Sequence, residues 1–386
     1  MTAAISGTVE PRFEPVRAAF VAAFRDRPTM GAALHVRVGG RPVVDLWGGV
    51  ADERDGRPWH RDTPSVVFSC TKGLVSILAA RLVEDGRLAY DAPVAQYWPR
   101  FGAAGKAGTT VAELLAHRAG LPAPRLDLSF EDILDWDRMA DLLADQAPLW
   151  CPGTAYAYHA ITHGWLAGEV IRRVTGRTVG GYFERAIARP LGADAWIGLP
   201  EAMRGRPAHL QVADSLAALW RNEQMKPGPN WPCRAMTLGG ALPAALVTPD
   251  GGFNDPRLQA AEVPGAGGIA TATALAAIWS ATVTPTDGVR LIGPGAIDIA
   301  TRTQSEGPPF FAAEPPYARW GMGFQLDSEA RRYLSAASFG HDGAGGQVGF
   351  ADPDAELGFG FVTNWMMGPE DTRATRIIDA LRDALS

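Results

Sequence analysis

Ser69 and Lys72 stand three residues apart at the head of an apolar run, Val67-Phe68-Ser69-Cys70-Thr71-Lys72-Gly73-Leu74. A helix beginning there and running to about Asp85 places the hydroxyl and the amine on one face, one turn apart. A serine hydroxyl is a poor nucleophile until a base takes its proton, and a lysine with a depressed pKa can do so. The first helical turn adds unpaired N–H groups and the positive end of the dipole, both favourable to negative charge. The only lysines are Lys72, Lys106 and Lys226, within a Lys plus Arg total of 36. Arginine cannot serve as a base at neutral pH, so the placement of one scarce lysine carries information. On its own, Ser69 would be read as a helix N-cap.

Two other stretches hold reactive or ligand-approaching residues. Pro152-Gly153-Thr154-Ala155-Tyr156-Ala157-Tyr158-His159-Ala160 is a turn followed by an aromatic pair at the mouth of a helix. Gly340-His341-Asp342-Gly343-Ala344-Gly345-Gly346 reads as a strand edge whose missing side chains let a ligand approach the backbone. The seven histidines include no HExxH pair, so no metal site or other cofactor is expected. Trp136, Trp150, Trp165 and Trp231 are candidates for lining an acyl pocket, with core packing the default for most of them. Cys70 reads as a small buried hydrophobe.

These stretches need elements to bring them together. Phe13, Val16, Phe20 and Phe24 give Val9 to Phe24 a helical period. Ala32–Val38 and Pro42–Trp47 flank Gly39-Gly40 as a hairpin. Thr110 and Glu113 form a capping box for a short helix to His117. Helices are expected over Phe130–Gln146, His163–Val174, Thr178–Ile187 and Ile269–Trp279, with residues 195–260 as long loops and short helices. Four strands follow, Trp320–Leu326, Leu334–Phe339, Gln347–Ala351 and Leu357–Thr363, and Thr372–Leu385 closes the chain as a helix. Strands cluster at both ends and helices in the middle. The expected fold is α/β of the α+β type, a central antiparallel sheet flanked by terminal helices with an inserted helical lobe. Residues 1–87 and 250–386 would form the sheet domain, residues 88–249 the lobe, and the active site the cleft between them.

Composition sets outer limits. The 386 residues, 47% hydrophobic and 20% charged, can build a large core. A net charge of −6 argues against a nucleic-acid or anionic-membrane partner. Cys70, Cys151 and Cys233 show no pairing pattern, and Met1–Arg25 carries Glu10 and Glu14 without a signal-type apolar core. The expectation is a cytoplasmic protein with reduced thiols and no membrane span. Oligomeric state is left open.

In this order, the motifs resemble those of the class C β-lactamase-like serine hydrolases, a group that includes D-Ala-D-Ala peptidases, class C β-lactamases and family VIII carboxylesterases. The resemblance spans almost the whole chain. It rests on Ser69-x-x-Lys72, the Thr110-to-Pro122 run, the Pro152-Gly153-x4-Tyr158 turn, Gly267-Gly268 and Trp320-Gly321-Met322-Gly323.

The resemblance implies an acylated Ser69, with Lys72 assisting its deprotonation and Tyr158 as partner base. Whether lysine or tyrosine takes the proton stays open, since coupled groups titrate together. His341-Asp342-Gly343 occupies the place of the family's Lys-Thr-Gly, which makes the N–H groups of Ser69 and Ala344 the implied oxyanion hole. His341, Gly343, His159 and Trp136 are the implied supporting or substrate-binding residues. Two departures stand out: Tyr158-His159-Ala160 lacks the family's asparagine, and His341 replaces a lysine. Both suit uncharged esters better than β-lactams. The expected activity is that of a serine carboxylesterase acting on small-molecule esters. β-Lactam hydrolysis, D-Ala peptide or amide hydrolysis and acyl transfer are alternatives within the enzyme class, and an inactive binding protein is the alternative outside it.

Overall fold

The computed structural model describes residues 4–224 and 230–386; Lys226 lies outside them. The main sheet is antiparallel and runs Ile5–Val9, Arg41–Asp52, Gly31–Val38, Leu357–Thr363, Val348–Asp352, Phe339–Asp342, Gln325–Leu326, Arg319–Trp320, with Arg57–Pro58 paired to Arg41–Asp52. The two chain ends therefore meet in the middle of one sheet, where Ala33 faces Val362 and Leu34 faces Phe361.

Side-chain alternation sorts the two faces. Leu34, Phe359 and Phe361 point towards Phe20 and Ile377 of the terminal helices Glu14–Ala22 and Arg373–Leu385. Burying each phenylalanine stabilises by roughly 1.5–3 kcal/mol. Between them, Gly358 and Gly360 face the helix Ala272–Val283. A Cβ at Gly360 would lie 2.5 Å from the Ala272 carbonyl oxygen, so bare backbone lets that helix lie flat on the sheet.

Several expectations need correction. The N-terminal helix starts at Glu14, and Ile5–Val9 before it is an edge strand. Phe130–Gln146 is two helices, Phe130–Leu134 and Trp136–Asp145, because the extended Asp135 caps the second through the Arg138 N–H. Residues 334–338 are a turn rather than a strand. The hydroxyls of Ser335 and Ser338 both donate to Asp352, each at 2.6 Å, which gives the backbone a local alternative to pairing. Within 195–260, Ala195–Ile197 pairs with Gly268–Ala270, and Gln211–Val212 runs parallel to Trp365–Met366.

Candidate active site

Gly268–Ala270 also pairs with Ser65–Val66, so it fixes the chain just before the nucleophile candidate. The Gly268 N–H donates to the Thr71 hydroxyl at 2.8 Å, and the Val67 N–H donates to the Gly268 carbonyl at 2.8 Å. Phe68, fully buried edge-on to Phe253, holds φ at +45°. Such a backbone costs about 1–3 kcal/mol and persists only where packing imposes it. That bend delivers Ser69 to the head of the Cys70–Glu84 helix. Among the described residues, the N–H groups of Ser69 and Ala344 donate to no backbone carbonyl.

Lys72 is fully buried, and its Nζ has three oxygen neighbours: Ser69 Oγ at 3.0 Å, Ala160 O at 2.6 Å and Gly265 O at 2.7 Å. Desolvation holds its pKa well below the ordinary lysine value. A neutral amine has two N–H bonds and one lone pair. In that form the two carbonyls can take both N–H bonds, and the lone pair can face the Ser69 hydroxyl.

Tyr158 lies across Lys72, with Nζ 4.8 Å from its ring centroid. Burial raises the phenol well above its ordinary value, and a hydrogen bond with Ser69 opposes the rise in part. Trp320 stacks on Tyr158 at 5.3 Å with 20° between the planes. Tyr156 instead donates its hydroxyl to Gly307 O, away from Ser69.

Four buried histidines surround this centre. His159 Nδ1 donates to Ala157 O, and its Nε2 accepts from the Leu121 N–H at 3.0 Å. His117 Nδ1 accepts from the His159 N–H, and its ring meets Tyr158 and Trp320 edge-on at 4.9 and 4.8 Å. His163 Nε2 donates to Leu115 O. His341 Nδ1 donates to Asp342 O at 2.6 Å, with its ring 6.1 Å from Tyr158 and 5.4 Å from Trp320. Burial and the nearby Lys72 push His341 down to about 3, so it is a neutral imidazole at pH 7.

Gly343 passes so close to Val67 that a Cβ there would lie 2.3 Å from its carbonyl oxygen. That approach places Ala344 beside the segment that leads into Ser69. Two cavities reach residues of the site, one at Ala344 and the other at Tyr158, and Ser69 lines neither. One, of about 550 Å³, is bounded by Gly343–Gln347 and Arg331; the other, of about 500 Å³, by Tyr156–Tyr158, Phe311 and Trp320. Leu219, Trp220 and Met236 border both.

Ser69, Lys72 and Tyr158 thus lie together, with Gly343 and Ala344 along the first cavity. His159 and His341 lie behind the site rather than in either cavity. Trp136 is a correction: its indole N–H donates to Glu169 at 2.7 Å inside the helical lobe, on a helix face turned from both cavities. Trp150, Trp165 and Trp231 do not line them either. The cavity tryptophans are Trp220 and Trp320. Trp320 stood in a recognised motif, whereas Trp220 sits in a stretch whose path the sequence did not reveal. Among the described residues there is no His/Cys/Asp/Glu cluster able to hold a metal, and no helix long and apolar enough to cross a membrane.

A serine, a desolvated lysine and a tyrosine in this fold define a class, and the chain belongs to it: residues 17–383 match the Beta-lactamase family. The "Esterase/beta-lactamase LipL" of Mycobacterium tuberculosis (strain ATCC 25618 / H37Rv) is 34% identical over 374 residues, 95% of this chain and 84% of that protein. A crystal structure of a family VIII carboxylesterase superposes with a TM-score of 0.88 at 36% identity, covering 99% of this chain and all of that one (100%). A penicillin-binding protein homologue from Caulobacter crescentus gives 0.87 at 36% identity, with 99% and 100% covered.

Proposed function

We propose that this serine hydrolase is a carboxylesterase that cleaves small uncharged esters through an acyl-enzyme on Ser69. The observation that carries the preference is that, among the described residues, no free cation borders either cavity. His341 is neutral, and the Arg331 guanidinium, the only Lys or Arg among the described residues on either border, is paired with Asp342 at 2.9 Å. A substrate carboxylate would therefore be desolvated without compensation. The family VIII carboxylesterase likeness points the same way.

In the proposed reaction Lys72 takes the Ser69 proton as Oγ attacks the ester carbonyl. The N–H groups of Ser69 and Ala344 hold the oxyanion. Tyr158, kept protonated by burial, donates its proton to the departing alkoxide and regains one from Lys72. Water then attacks the acyl-enzyme, its proton returns through the same groups, and the acid leaves. A second reading, β-lactam hydrolysis on the same serine, draws on the double name of the mycobacterial relative.

The test is hydrolysis of 4-nitrophenyl butyrate, with Ser69→Ala expected to abolish it and a fluorophosphonate expected to add once, on Ser69. Full activity in Ser69→Ala would overturn the assignment. Nitrocefin turnover matching that of esters would overturn the ester preference.

A further inference from the structure

One cavity reaches Ala344 and the other Tyr158, the two groups that the proposed mechanism sets at opposite ends of the ester linkage. In the mechanism above, the leaving oxygen must reach the Tyr158 hydroxyl, and the carbonyl oxygen must point to the Ala344 N–H. The group beyond the leaving oxygen then extends into the cavity bounded by Tyr156–Tyr158, while the acyl chain extends along Gly343–Gln347. The Tyr158-side cavity, about 500 Å³, falls within the ~300–1,000 Å³ typical of small-molecule sites. Its walls include Leu219, Trp220, Met236, Phe311 and Trp320, and among the described residues no Lys or Arg stands on its border. The Glu314 carboxylate stands on that border and disfavours an anionic alcohol. Trp320 serves twice, as a wall of this cavity and as the ring stacked on Tyr158.

Resting on the esterase reading, we propose that this cavity is the alcohol subsite and that it selects esters of apolar, ring-bearing alcohols. Selectivity then lies in the leaving group as well as in the acyl chain. An alcohol ring seated against Trp320 also holds the leaving oxygen beside the Tyr158 proton.

The experiment compares kcat/KM for methyl, benzyl and 2-naphthylmethyl acetates, which share one acyl group and have alcohols of similar acidity. The ring-bearing acetates are expected to exceed methyl acetate by at least ~10-fold, the lower end of what one apolar contact gives. Phe311→Ala, which changes the Tyr158-side wall alone, is expected to cut the naphthylmethyl-to-methyl ratio several-fold, whereas the ratio of methyl hexanoate to methyl acetate holds. Equal kcat/KM for all three acetates would overturn the alcohol subsite and leave the esterase reading standing. So would a Phe311→Ala enzyme that loses acyl-chain selectivity instead. No turnover of any ester, in an enzyme that hydrolyses nitrocefin, would overturn both.

Discussion

Lys72 Nζ lies 2.6 Å from the carbonyl oxygen of Ala160, two residues beyond Tyr158 on the same loop. The segment that carries the tyrosine therefore also aims the lysine. With Gly265 O placed to take a second N–H, a neutral amine here would meet Ser69 with its lone pair.

This relationship makes the lysine irreplaceable by arginine. Lys72→Arg removes the proton acceptor and buries a permanent, unneutralised charge where a neutral amine would serve. Both Lys72→Arg and Lys72→Ala are expected to lower kcat by about 10²–10⁴, the usual worth of a general base. Steady-state hydrolysis of 4-nitrophenyl acetate measures it, and near-normal kcat in Lys72→Arg would refute the role.

Rate should depend on pH in a direction set by the same group. Desolvation lowers the Lys72 pKa, so the active neutral amine is present above that depressed value and lost as pH falls through it. Tyr158 is shifted upwards, so its proton stays in place beyond the ordinary tyrosine value of ~10. A kcat/KM profile should rise with pH on the acid side and level off below ~10.4, the ordinary lysine value. A rate still climbing towards that value would contradict a desolvated base.

Stability should fall on the acid side because of the buried histidines. His159 is pushed down to about 4 and His341 to about 3 by burial, and His117 and His163 lie well below the ordinary value. Their folded values are below ~6.5, the unfolded one, so the unfolded chain takes up protons first as pH drops. The native state then loses about 1.4 kcal/mol per pH unit for each such histidine, from pH ~6.5 down towards the folded values. Urea denaturation at pH 7, 6 and 5 reads the slope. Equal stability at pH 7 and 5 would mean that these imidazoles are protonated or exposed in the native protein.

Trp320 should act through Tyr158. Stacked aromatic pairs contribute about 0.5–1.5 kcal/mol beyond their burial. Trp320→Ala should therefore lower kcat several-fold to tenfold even for methyl acetate, and Trp320→Phe should recover much of the loss. A change confined to KM would show that the indole serves only as a cavity wall.

The sequence made some of this legible because certain devices are local. The capping box of Thr110 and Glu113, the Gly39-Gly40 hairpin and the Ser69–Lys72 spacing are each set by a few neighbouring residues. What stayed hidden depends on backbone atoms far along the chain. The carbonyls of Ala160 and Gly265 that aim Lys72 carry no residue signature, since any residue but its carbonyl geometry would read alike. Trp136 misled because a tryptophan on an amphipathic helix reads the same whether it meets a cavity or Glu169. Trp220 escaped for another reason: its helix, Asp214–Gln224, is short and stands within residues 195–260, where many prolines and glycines hid the path of the chain.

Gly343 offers the sharpest test of the oxyanion geometry. Adding a methyl group there would place a Cβ 2.3 Å from Val67 O, a backbone atom that cannot swing aside as a side chain can. The Gly343→Ala strand must therefore shift, and the Ala344 N–H shifts with it. Overpacking of this kind costs about 1–3 kcal/mol, which a chain with this core should survive. Loss of one aligned oxyanion donor costs about 10²–10³ in kcat. The expected outcome is a folded Gly343→Ala enzyme that still reacts once with a fluorophosphonate but turns over esters at least ~100-fold more slowly. A kcat within twofold of normal would mean that the N–H of Ala344 does not hold the oxyanion.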